Sequence, residues 1–294
     1  MPKNHDVLVV AGQSGSKSTF IGGLYQHGHR KDGVGVSYTP MEGNVREDFI
    51  QGLIKPMTSR NVYPDQTEEG YVVEITLDGG GTAIPETNFK FVDIPGEQID
   101  EVLPEVQADI SDGGINESQL EQEFNKVKSN IGGNQQITKS DWVTIFKYYY
   151  SQASMVMFLF NLHKIIVEDE DLTITADWLK NAANAKVKTG VVLTAVDLLD
   201  YDSDNPNYKS KFGLSNRMFD KELKDHVENQ ISLGTAPILI NMMQSVADND
   251  QIDMFSVSVP PEKPADPSND RLKPDGNSGF ETKGFDEVIK WLRD

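Results

Sequence analysis

The sequence predicts an α/β fold: a mostly parallel sheet with one antiparallel edge strand, sandwiched between helices in three layers. Three observations carry this. The apolar runs at 6–11, 155–160 and 191–196 are largely continuous rather than alternating, as expected of strands buried on both faces. Helical spacing recurs between them, most clearly where Phe285, Val288, Ile289 and Leu292 fall at i, i+3, i+4 and i+7. The stretches 71–77 and 88–93, joined by Asp78-Gly79-Gly80-Gly81 and a polar turn, read as an antiparallel hairpin that supplies the edge strand. Strands alternating with helices favour parallel pairing with both sheet faces covered.

In chain order, the first strand leads into a helix over 17–29 with Phe20 and Leu24 on one side. Residues 30–66 lack a long periodic pattern, apart from a short helix at 46–54 in which Phe49, Leu53 and Ile54 share a face. Residues 99–150 are polar and mostly helical, interrupted by Gly113-Gly114 and Gly132-Gly133, and read as inserted. Leu172, Ala176, Leu179 and Ala183 mark the helix after the strand at 155–160, and Phe219, Leu223, Val227 and Ile231 mark another beyond the polar loop through Asp202 and Asn205-Pro206. Pro237 breaks that helix before a second piece ending near Met242. The last strand is 252–258, and the five prolines between 260 and 283 predict an exposed, irregular loop ahead of the final helix. One domain over 1–294 is expected, enlarged by insertions at about 30–66, 99–150 and 259–283.

Composition narrows the function. A net charge of −19 and a pI of about 4.6 argue against DNA, RNA or anionic lipid, which bind basic patches. Such acidity is best tolerated in high salt, where the Debye length falls to about 3 Å at 1 M. No apolar run approaches the roughly 20 residues of a membrane span, so no membrane insertion is expected. Met1–His5 leaves no room for a signal peptide before the first strand, and the absence of cysteine removes disulfides and thiolate chemistry, so a cytoplasmic location is expected.

The stretch from Ala11 to Thr19, Ala-Gly-Gln-Ser-Gly-Ser-Lys-Ser-Thr, follows a buried strand and opens a helix. A tight turn of small residues lets successive backbone N–H groups point at a phosphate chain; the helix dipole and a lysine add positive charge. Lys17 is that charge and Ser18 a magnesium ligand; Gly12, Gln13, Ser14, Gly15, Ser16 and Thr19 complete the cradle. Against G-x-x-x-x-G-K-[ST], Ala11 stands for the first glycine and Ser16 for the second. Ligands of open α/β sheets bind at the carboxyl ends of the strands, where Lys17, Asp93, Asp197 and Ser256 would converge. Asp197 can accept from a guanine's N1–H and exocyclic amine, a donor pair that adenine lacks. His27 and His29 have no third ligand nearby in sequence, and Tyr148-Tyr149-Tyr150 reads as packing.

The order of these pieces resembles the Ras-like P-loop GTPases of the TRAFAC class, in particular the Arf-like and prokaryotic small GTPases with enlarged switch regions. The resemblance implies that Ala11 to Ser18 is the phosphate loop, Thr67 the switch I threonine and Asp93-Ile94-Pro95-Gly96 the D-x-x-G. It sets Thr194-Ala195-Val196-Asp197 against [NT]-K-x-D and Ser256-Val257-Ser258 against S-A-[KL]. Ser18, Thr67 and Asp93 would then hold Mg²⁺, Gly96 would offer its N–H to the γ-phosphate, and Thr194, Asp197, Ser256 and the Val257 N–H would form the base pocket. Lys17, Thr67, Gly96 and Glu97 would serve hydrolysis. Glu97 stands where the family has a water-orienting glutamine, and Ala195 replaces the lysine that packs over the base; Thr58 competes with Thr67 for the switch role. The implied activity is slow GTP hydrolysis to GDP by a regulatory switch with effector partners. A nucleotide-bound interaction module without turnover and a P-loop kinase or ATPase are the alternatives. The segments 30–66 and 97–150 are expected to move when the nucleotide changes.

Overall fold

The computed structural model describes residues 5–12, 16–30, 36–40, 54–64, 71–77, 87–93, 96–111, 117–130, 137–161, 164, 179, 187–195, 252–262, 271–277 and 279–293. It is an α/β structure built on a seven-stranded sheet. The strands are β1 (His5–Ala11), β2 (Val36–Pro40), β3 (Tyr71–Leu77), β4 (Thr87–Asp93), β5 (Met155–Asn161), β6 (Lys188–Thr194) and β7 (Ile252–Ser256), in the order β2-β3-β4-β1-β5-β6-β7. Parallel ladders join β4, β1, β5, β6 and β7. The described helices are α1 (Lys17–Arg30), α2 (Lys55–Arg60), α3 (Gly96–Ser111), α4 (Glu117–Val127), α5 (Lys139–Gln152) and α6 (Phe285–Arg293).

The hairpin forms as expected, with Tyr71 opposite Asp93 and Leu77 opposite Thr87. Its outer strand is not the sheet edge, however. The expectation of a single antiparallel edge strand is corrected by β2, which pairs antiparallel with β3 from Val36 opposite Leu77 to Pro40 opposite Val73. Proline ends this strand at the outer position, where a missing N–H removes little from the ladder.

The two-residue period of each central strand divides its apolar run between two cores. Leu8, Val10, Val156, Phe158, Phe160, Val191 and Leu193 face one way, against Val102, Leu103 and Val106 of α3 and Trp142, Ile145, Phe146 and Tyr149 of α5. Val7, Val9, Ala11, Met155, Met157, Leu159 and Val192 face the other, against Phe20, Ile21 and Leu24 of α1, Met57 of α2 and Phe285, Val288, Ile289 and Leu292 of α6. Tyr148 and Tyr149 serve packing, as expected: Tyr148 stacks on Phe124 of α4 at 3.8 Å, and Tyr149 meets the same ring edge-on. Lys139 bridges α5 to α3 through Glu105 at 2.7 Å.

α5 begins with a capping box in which Thr138 and Asp141 satisfy each other's backbone N–H groups. The loop after β7 is less exposed than its prolines suggest, because Leu272 and Phe280 are buried in the α1/α6 core and short bridges pair Pro261 with Leu272 and Pro274 with Phe280. Of the helix expected at 46–54 only Ile54 is described; the helices expected over 172–183 and 219–242 lie outside the described residues, apart from the helical, buried Leu179. No helix among the described residues is long and apolar enough to cross a membrane.

Candidate functional site

β1 has β4 on one side and β5 on the other. The chain leaves β1 towards β4 and leaves β5 towards β6, so progression along the sheet reverses between β1 and β5. In doubly wound sheets the carboxyl ends of the strands at such a reversal are the usual ligand position. Gly12 follows β1 at this edge, and Ser16, Lys17, Ser18 and Thr19 open α1 beside it. From β5 comes Asn161, which lies opposite Thr194 at the end of β6.

Ser16 stands immediately before α1. The Phe20 N–H donates to its carbonyl at 2.8 Å, the first full turn of α1, while its own φ of 59° lies in the left-handed region. That region disfavours a Cβ by about 1–2 kcal/mol, which is why glycine is common there. Here Asn161 Nδ2 donates to Ser16 Oγ at 2.9 Å, and the Lys164 N–H donates to Asn161 Oδ1 at 3.1 Å. Asn161 gave no signal in the sequence, since an asparagine ending an apolar strand is ordinary and its partner is 145 residues away.

Lys17 is only 8% exposed. It is the first residue of α1, and the positive end of the helix dipole adds to its charge there, a setting that favours an anion. The position of α1 is fixed by close approach along its length. A Cβ on Gly22 would overlap the Met57 side chain, and one on Gly23 would overlap Phe285 and Val259. Phe20 stacks on Phe285 at 5.6 Å, and His27 reaches Thr282 at 3.0 Å and Asp286 at 2.8 Å. His27 thus ties α1 to α6 rather than awaiting a metal.

Asp93 ends β4. The register Val9 opposite Phe91 carries Ala11 and Asp93 to the same level on adjacent strands, so Asp93 ends its strand level with the residue before Gly12. Gly96 and Glu97 are the first two residues of α3. Serine hydroxyl and aspartate carboxylate are the hard oxygen donors that Mg²⁺ takes, so Ser18 and Asp93 fit that ion in kind. Among the described residues no three His, Asp or Glu side chains gather as a metal site.

On the far side, Thr194 is buried, its hydroxyl donating to the Phe160 carbonyl at 3.3 Å, and Ala195 turns the chain with φ of 57°. Ser256 ends β7 half-buried, with Gly284 against its carbonyl; a Cβ at Gly284 would overlap that oxygen, and its φ of 76° also calls for glycine. The expectation that the Val257 N–H serves a base is corrected: it donates to the Leu193 carbonyl at 2.8 Å, and its side chain is buried in the α1/α6 core. The Thr58 hydroxyl donates to the Ile54 carbonyl at 2.8 Å, a helical back-bond. Gln13, Ser14, Gly15, Thr67 and Asp197 lie outside the described residues.

Compared with known proteins, the chain matches no family model and no curated sequence.

Proposed function

We propose that this chain is a Ras-like P-loop GTPase of the cytoplasm that binds GTP and GDP with Mg²⁺, hydrolyses GTP slowly and acts as a regulatory switch for protein effectors. One observation carries the proposal: the buried Lys17 at the start of α1, directly after a left-handed Ser16, on the chain that leaves β1 where the sheet order reverses. A tight turn, a helix N-terminus and a lysine converging at a switch point are what a phosphate chain requires. Asp93 ending β4 and Thr194 ending β6 add support, because these two strands flank the β1/β5 pair between which the order reverses.

In this reading Lys17 neutralises β/γ-phosphate charge, Ser18 and Asp93 hold Mg²⁺ together with Thr67, and Gly12 to Thr19 cradle the phosphates. The bound Mg²⁺ would offset charge on the β- and γ-phosphates. Asp197, Thr194 and Ser256 would read the guanine. Isothermal titration with GTP·Mg²⁺ tests this. Wild type should bind, and Lys17→Ala should lose most of the affinity, because the triphosphate would then meet a protein of net charge −19 without its point charge. Unchanged affinity in the variant would reject the assignment.

A second reading, a nucleotide-bound interaction module without turnover, draws support from the tethering of 54–64 to the loop after β7, where the Leu272 N–H donates to the Asn61 carbonyl at 2.7 Å. Single-turnover hydrolysis with GTP and with ATP separates the two and tests for a kinase or ATPase as well.

A further inference from the structure

We infer that Asn161 is a positioning residue for the phosphate cradle, and that Ser16 and Asn161 act as one unit in place of the glycine usual at this point of the turn. The inference rests on the nucleotide reading above.

Four observations lead to it. Ser16 holds a φ of 59° that glycine would adopt without strain. Its hydroxyl oxygen receives the Asn161 Nδ2 hydrogen at 2.9 Å. The Asn161 Oδ1 receives the Lys164 backbone N–H at 3.1 Å, which fixes the orientation of the amide. β5 runs two residues past the level of Ala11, which pairs with Leu159, so Asn161 stands beyond the end of β1, where it reaches Ser16.

The direction of the Ser16 bond has a chemical consequence. A backbone N–H can only donate, so Oδ1 must face Lys164 and Nδ2 must face Ser16. Ser16 Oγ is therefore the acceptor, and its own hydrogen is left for a different acceptor. A half-buried hydroxyl one residue before Lys17 suits a phosphate oxygen. Glycine could supply the backbone shape but not this donor. Asn161 does not touch the phosphate; it holds the serine hydroxyl with its hydrogen free.

A double-mutant cycle on the full chain tests this, reading the affinity for magnesium tripolyphosphate and for GTP·Mg²⁺ by calorimetry and the melting temperature of each unliganded protein. Ser16→Ala removes the hydroxyl while keeping a Cβ in the left-handed position. Asn161→Ala removes the orienting amide. Each alone should weaken both ligands about tenfold, and the double variant should be no weaker than either single, because the second change removes nothing that remains. Ser16→Gly should lose affinity like Ser16→Ala while melting no lower than wild type. Losses that multiply in the double variant, or a Ser16→Ala protein that binds as wild type, would overturn the inference while leaving the nucleotide reading intact. Failure of wild type to bind either ligand would overturn both. Lost affinity accompanied by an equal fall in melting temperature in Ser16→Gly would reduce the pair to a structural bond and overturn the positioning role.

Discussion

The Leu272 N–H donates to the Asn61 carbonyl across 2.7 Å, stitching the segment ahead of Thr67 to the loop that follows β7. Val62 and Arg271 pair beside it as an antiparallel bridge, and the Tyr63 hydroxyl donates to the Val259 carbonyl at 2.6 Å. Met57 lies under Gly22 and is fully buried. Residues 54–64 are therefore anchored by packing and by hydrogen bonds that involve no phosphate, whereas Thr67 lies three residues past the last of them.

This anchoring divides the stretch 30–66, all of which the sequence suggested should respond to nucleotide. Hydrogen exchange in GDP and in a non-hydrolysable GTP analogue should be equal over 54–64 and differ beyond residue 64. Leu272→Ala should lower stability by about 2–5 kcal/mol, since a buried leucine leaves a cavity, and should also speed exchange at 61–63. Tyr63→Phe should lower it by about 1 kcal/mol. Nucleotide-dependent exchange throughout 54–64 would show that the anchor releases.

Close approach on α1 gives a sharper stability test. Gly23→Ala should gain about 1 kcal/mol of helix propensity, yet its Cβ would overlap Phe285, which is fully buried, and Val259. Overpacking a rigid site costs about 1–3 kcal/mol, so the net effect should be a loss, read by urea denaturation. Gly23→Ala combined with Phe285→Leu should recover part of it. A stabilised single variant would mean that α6 yields easily.

The central strands were legible because they are buried on both sides: an apolar run such as Met155 to Phe160 has no other comfortable place. β2 was missed because Val36-Ser37-Tyr38-Thr39-Pro40 is short, ends in proline and pairs only with β3, so it needs no apolar run. The site was half legible. Lys17 opens the helix after β1, and Asp93 and Thr194 end strands, positions that local sequence announces. Asn161 acts through a partner far away in sequence, and the Val257 N–H is consumed by a neighbouring strand, both properties of the folded sheet rather than of any local pattern.

Glu281 offers a pH test outside the candidate site. Partial burial pushes its carboxyl up, but the hydrogen bond from Lys273 at 2.6 Å and the charge and hydrogen bond of Lys283 at 3.2 Å outweigh this and hold it below the ordinary carboxylate range. A depressed folded value stabilises the protein above the unfolded value, and that contribution disappears as pH falls through the folded one. Between about pH 7 and about pH 3, Glu281→Gln should therefore lose less stability than wild type, by urea midpoint. Parallel curves would mean that solvent screens the three charges.

On the proposed reading, Glu97, second residue of α3, sets how the chain would hydrolyse GTP. It stands one position beyond Gly96, where the resemblance puts a glutamine that orients water, and a carboxylate there has two opposing effects. As a base it could take the attacking water's proton; as an anion it would repel the γ-phosphate. Intrinsic single-turnover hydrolysis should be slow in wild type: the two arginines whose side chains are described, Arg60 and Arg271, are both exposed, and hydrolysis without an arginine finger forfeits about 10³ to 10⁵ in rate. Glu97→Gln removes the charge and keeps the shape. We expect the rate to rise, because a phosphate already bearing several negative charges suffers more from another at short range than it gains from a base of low pKa. A large fall in rate with unchanged GTP affinity would instead make Glu97 the general base. Fast turnover by wild type alone would remove the need for a partner.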